Sequence, residues 1–73
     1  MSTAAELQIG QSGRVAEVTG DDDISVRLLE MGITPGVDVR LLGKAPLGDP
    51  LELDLRGYRL SLRKSEAARI TLQ

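Results

Sequence analysis

The chain has 73 residues, 9 basic and 11 acidic side chains, a formal net charge of −2, and neither cysteine nor histidine. Disulfide support, thiolate or imidazole metal sites, and Ser-His or Cys-His catalysis are therefore excluded. A domain of this size buries only about 60% of the surface its unfolded chain exposes, so each turn and cap matters to a modest stability.

Acidic residues concentrate in the first half (Glu6, Glu17, Asp21, Asp22, Asp23, Glu30) and basic ones in the second (Arg40, Lys44, Arg56, Arg59, Arg63, Lys64, Arg69). Such an asymmetry can steer a partner without naming one. Residues 1–6 carry no basic cluster and no long apolar run, so they read as a frayed tail rather than a signal peptide. No apolar run approaches the roughly 20 residues that span a bilayer. The expectation is one cytoplasmic domain over residues 7–73.

Leu7 and Ile9 alternate with Gln8. Residues 14–18, opened by Gly13 and closed before Gly20, alternate as a strand. Asp21, Asp22 and Asp23 then stand before an apolar-periodic stretch. One of them can cap a helix, and the others suit the positive end of its dipole. The helix is expected over residues 24–31, with Ile24, Leu28 and Met31 inward and Asp23 paired to Arg27. Gly32 sits where a left-handed residue ends a helix.

Thr34-Pro35-Gly36 predicts a type II turn, because proline presets φ and glycine accepts the positive φ that follows. Residues 37–41 alternate as a strand, and residues 43–50 read as a loop. The next hairpin is specified most tightly. Leu51, Leu53 and Leu55 lie at odd positions, and Tyr58, Leu60 and Leu62 at even ones. All six share a face only if Arg56-Gly57 is a two-residue turn and Leu55 faces Tyr58. A helical turn over residues 65–68 and a last strand over 69–72 complete the chain. The sum is a mostly β fold of five to six short strands with one inserted helix, and closure into a small barrel would remove exposed edges.

Chemistry-bearing candidates are few. Asp21, Asp22 and Asp23 could hold a divalent cation weakly through oxygen, but they lack the spacing of a calcium loop, and capping accounts for them. Tyr58 is the sole aromatic, so no base-stacking platform exists, and the aspartates would repel phosphate. Nucleic acid is not an expected partner. Leu29 cannot face inward together with Leu28 and Met31, and Pro46 and Leu47 lie in a surface-type loop. These three could form an apolar partner-binding patch. The alternative places Leu29 under the long loop.

Several stretches resemble one family. Residues 27–36, RLLEMGITPG, are similar to the hallmark RLLEMGLTPG of FeoA domains. Residues 45–50, APLGDP, match that family's loop, and Arg56-Gly57-Tyr58 and residues 62–67, LRKSEA, resemble its RGY and LRKxEA signatures. The resemblance covers residues 7–72. It implies an SH3-like β-barrel, and a cytosolic accessory of FeoB, a membrane iron permease with a GTPase domain. It implies a structural role for Gly32, Pro35, Gly36 and Gly57, no catalytic residue, no required cofactor, and membrane contact only through the partner. Alternatives are an interaction domain with a different partner, or a small sensor that binds a divalent transition metal through carboxylates.

Overall fold

The computed structural model describes residues 2–73. Five strands carry the alternation seen in the sequence: β1 (Ser12–Val18), β2 (Asp38–Lys44), β3 (Leu51–Leu55), β4 (Tyr58–Leu62) and β5 (Ile70–Leu72). All neighbours are antiparallel, in the order β4-β3-β2-β1-β5. Bulges interrupt the register between Leu41 and Gly43 and between Val15 and Glu17. Such insertions bend strands and raise the local twist, and so help the sheet curl around one core. That core joins Val15, Leu28, Ile33, Leu41, Leu53 and Ile70, all without exposed surface.

The β3–β4 hairpin has the register required by parity: Leu51 faces Leu62, Leu53 faces Leu60, and Leu55 faces Tyr58. Arg56 and Gly57 both have positive φ, 53° and 89°. Positive φ at both central positions is the type I′ turn, whose twist matches that of the flanking strands. The shared face is not uniformly covered. Leu62 is buried and Leu60 half-buried, while Tyr58 is 70% exposed at the rim.

Helix α1 (Asp23–Glu30) is inserted between β1 and β2. Asp22 is its N-cap and accepts a hydrogen bond from the Ser25 N–H. At the other end Gly32, at φ 98°, donates to the Leu29 carbonyl, and Ile33 donates to the Leu28 carbonyl. This is the Schellman arrangement, and the buried Leu28 and Ile33 supply its apolar contact. Gly36, at φ 92°, completes the type II turn, with the Val37 N–H donating to the Thr34 carbonyl.

Four expectations are corrected. Of the six N-terminal residues, Met1 lies outside the described ones, and Ala4–Glu6 form a 3-10 turn rather than a frayed tail. Ala4 is fully buried, and the Leu72 N–H donates to the Ser2 carbonyl, so sheet pairing holds this segment down. Leu7 and Ile9 do not form a strand. Leu7 is buried, but Ile9 is 65% exposed, so they do not share an inward face. The loop begins later than composition implies, because Gly43 and Lys44 continue β2 and pair with Glu52 and Leu51 past the bulge. Finally, Arg27 does not pair with Asp23. It reaches across to Glu66 of α2 (Lys64–Ala67).

Candidate functional site

Helix α1 and α2 are tied where the sequence offers only weak signals. Glu66 is the third residue of α2, and one of its oxygens accepts the N–H of the N-cap residue Arg63 at 2.9 Å. Its other oxygen accepts from the Arg27 guanidinium. Both carboxylate oxygens are thus used, which is the condition for burying a charge. A second tie joins the cap of α1 to the approach to β5, where Arg69 donates to the Asp22 carboxylate. That hydrogen bond, and then the one from the Ser25 N–H, hold the Asp22 carboxyl below its ordinary range. The same contact raises the Arg69 pKa.

Two exposed faces of α1 flank these ties. On one flank, Ile24 and Arg27 line an open cleft of about 780 Å³. Its other walls are Asp49 and Pro50 at the end of the β2–β3 loop, Ser61 of β4, Arg63 just before α2, and Glu66 of α2. The Lys64 N–H donates to Asp49 Oδ1 at 3.0 Å, which pins that end of the loop. On the other flank stand Val26 and Leu29, 52% and 42% exposed, one turn apart. At 100° per residue, Leu29 lies roughly 160° around the axis from Arg27. The apolar pair and the cleft are therefore opposite sides of one helix.

This geometry sorts the sequence candidates. Leu29 is exposed and does not pack under the loop. Pro46 is exposed, and Leu47 is 96% exposed at the loop tip. The Asp49–Pro50 end of that loop borders the cleft, and Leu29 lies on the opposite flank of α1. Val26 joins Leu29 and was missed, although the i, i+3 spacing of two apolar residues outside the inward stripe was a readable signal. Asp21, Asp22 and Asp23 are all exposed, and Asp22 is committed to Ser25 and Arg69. Among the described residues, no group of three or more acidic side chains gathers as a metal site. The donor set at the helix cap therefore fits an N-terminal cap better than a cation.

The comparisons with known proteins match this geometry to a family. The FeoA domain model matches residues 3–73. The chain belongs to the FeoA family. A FeoA-like protein from Clostridium acetobutylicum superposes with a TM-score of 0.91 at 39% identity, over 99% of this chain and 84% of that one. Stenotrophomonas maltophilia FeoA, solved in complex with zinc and described as a prokaryotic SH3 domain protein, gives a TM-score of 0.89 at 35% identity over 100% of this chain and 91% of that one. The SH3-like architecture implied by the sequence motifs is therefore the observed one. A further relative, from Porphyromonas gingivalis, is a fusion of Fe(2+) transport protein A with the Fe(2+) transporter FeoB. It is 33% identical over 69 residues, which are 94% of this chain and 8% of the fusion. This FeoA chain thus spans a small fraction of that relative's length. No helix among its described residues is long and apolar enough to cross a membrane.

Proposed function

We propose that this chain is a non-enzymatic, cytosolic accessory of ferrous-iron uptake that binds the GTPase region of a FeoB-type permease and meets the membrane only through it. The observation that carries this reading is the Porphyromonas gingivalis fusion, in which a related domain and a FeoB transporter are one polypeptide. Covalent linkage raises the effective concentration of two partners to the millimolar range, and a separate chain must replace that linkage with a binding surface. The exposed pair Val26 and Leu29 supplies an apolar one, on a helix held in place by both its cap and Glu66.

The test is capture of a purified FeoB GTPase fragment by the folded chain and by Leu29→Glu. A carboxylate placed in the contact would be desolvated without a partner, so the variant should lose capture while keeping its fold. Equal capture by both proteins would remove the Val26–Leu29 face from the interface. No capture by either would remove the FeoB fragment as the partner.

The zinc complex of Stenotrophomonas maltophilia FeoA motivates a second reading, in which a divalent metal is the signal. Here only weak binding through carboxylates such as Asp21 and Asp23 fits the donor set. Anaerobic titration with ferrous iron or zinc should show no site tighter than about micromolar. A single sub-micromolar site per chain would favour the sensor reading over the accessory one.

A further inference from the structure

We propose that the cleft between β4 and α1 receives an extended acidic segment of a partner protein, which pairs with the free edge of β4 as an added strand. This rests on the reading of the domain as a partner-binding module and specifies how a second segment is held. The backbone supplies the first argument. Leu55 and Tyr58 flank a two-residue turn, so they form a hydrogen-bonded pair, and bonded pairs then alternate at Leu53–Leu60 and Leu51–Leu62. The N–H and C=O groups of Arg59 and Ser61 accordingly point away from β3. Strand β4 is an outer strand of the sheet. Among the described residues, neither group of Arg59 or Ser61 has a hydrogen-bond partner outside the hairpin. An unpaired edge of this kind is a template for strand addition.

Shape supplies the second argument. At Ser61 the edge borders the cleft, whose lining also includes Ile24 and Arg27 of α1. A strand laid on β4 would lie between a sheet edge and a helix. Half-buried Leu60 and exposed Tyr58 on the inner face of β4 are available to its apolar side chains.

Charge names the occupant. Arg59 and Arg63 flank Ser61 along the edge, and Arg59 has only a 3.9 Å contact to exposed Glu52. Of the nearby carboxylates, Glu66 is engaged by Arg27 and the Arg63 N–H and Asp49 by the Lys64 N–H, while Glu52 and Asp54 lie one strand further in, on β3. The positions along the edge itself, Arg59, Ser61 and Arg63, carry two cations and no anion. A second copy of this chain is a poor occupant. Antiparallel pairing about Ser61 would set Arg59 against Arg63 of the other copy, and like charges placed opposite each other destabilise a sheet pair. Acidic side chains on the incoming strand reverse that sign.

The experiment uses the full chain labelled with nitrogen-15 and the peptide acetyl-Glu-Val-Glu-Val-Glu-amide, with its lysine counterpart as control. The acidic peptide should shift the Arg59 and Ser61 amide signals saturably and slow hydrogen exchange at the Ser61 amide, and the lysine peptide should do neither. Ser61→Pro removes the outward donor without touching the β3 ladder and should abolish the effect. Arg63→Glu, which leaves the backbone intact, should weaken binding at least five-fold. Equal binding of both peptides, or acidic-peptide shifts centred on Val26 and Leu29, would overturn the proposal. So would concentration-dependent shifts of Arg59 and Ser61 without peptide, which would indicate self-pairing. Loss of peptide binding with intact capture of the FeoB fragment would sink the groove alone. Peptide binding without capture would sink only the identity of the partner.

Discussion

Glu66 and Arg27 lie 39 positions apart, and their ion pair fastens the inserted helix to the turn that precedes β5. The pair is unequal, since the Glu66 side chain is 9% exposed and the Arg27 side chain 59%. Removing the carboxylate should therefore matter more than removing the guanidinium. Glu66→Ala leaves the Arg63 N–H unpaired and should cost about 1–3 kcal/mol. Glu66→Gln keeps an acceptor for that N–H and should cost less. Urea unfolding of the two variants, with Arg27→Met alongside, measures the difference. An Arg27→Met loss as large as that of Glu66→Ala would show that the Arg63–Glu66 hydrogen bond contributes little.

The α1 substitutions separate core from surface. Leu28 is fully buried, so Leu28→Ala should destabilise by about 2–5 kcal/mol. Leu29 is 42% exposed, and Leu29→Glu should shift stability within about ±0.5 kcal/mol. Thermal melts decide it. Unfolding of Leu29→Glu would mean that this side chain belongs to the core.

Gly57 sits at φ 89° with nothing within 4 Å of the space a Cβ would fill. The cost of substitution there is backbone strain, not collision. Gly57→Val should destabilise by about 1–3 kcal/mol, and Gly57→Asn by less, because asparagine tolerates positive φ. Equal losses for the two variants would count against the type I′ turn as the cause.

The Asp22–Arg69 contact makes a small part of the stability pH-dependent. A carboxyl whose folded pKa is lowered contributes fully above its unfolded value of about 3.9, and the contribution is lost as pH falls through the folded value. Asp22→Asn preserves a good cap but removes the charge. The stability difference between wild type and this variant should be present at neutral pH, shrink below about pH 4, and shrink in high salt. A difference that stays constant across that range would assign it to the cap rather than to the ion pair.

Deletion of residues 1–6 should lower stability by at least about 1 kcal/mol, because it uncovers core surface beneath Ala4 and breaks the Ser2–Leu72 hydrogen bond. An unchanged melting temperature would return this segment to the status of a tail.

Local signals were legible wherever one residue type answers one backbone need. The parity switch across Arg56-Gly57 admits one register, because a slip by a single residue would turn a whole apolar set outward. Gly32 and the Pro35-Gly36 turn are recognisable because few residues accept the φ values required. Four motifs in order carry the family resemblance without any tertiary information. Tertiary structure decided what depends on neighbours distant in sequence. Ala4 looks like tail until β5 pairs beside it, and a small residue carries no periodicity to announce burial. Arg27 had a plausible partner four residues earlier in Asp23, but the buried Glu66 carboxylate needs the charge more than an exposed aspartate does. The division of α1 into a cleft-facing flank and an apolar flank also arises only from packing, because helical periodicity states which residues share a face and not what that face will meet.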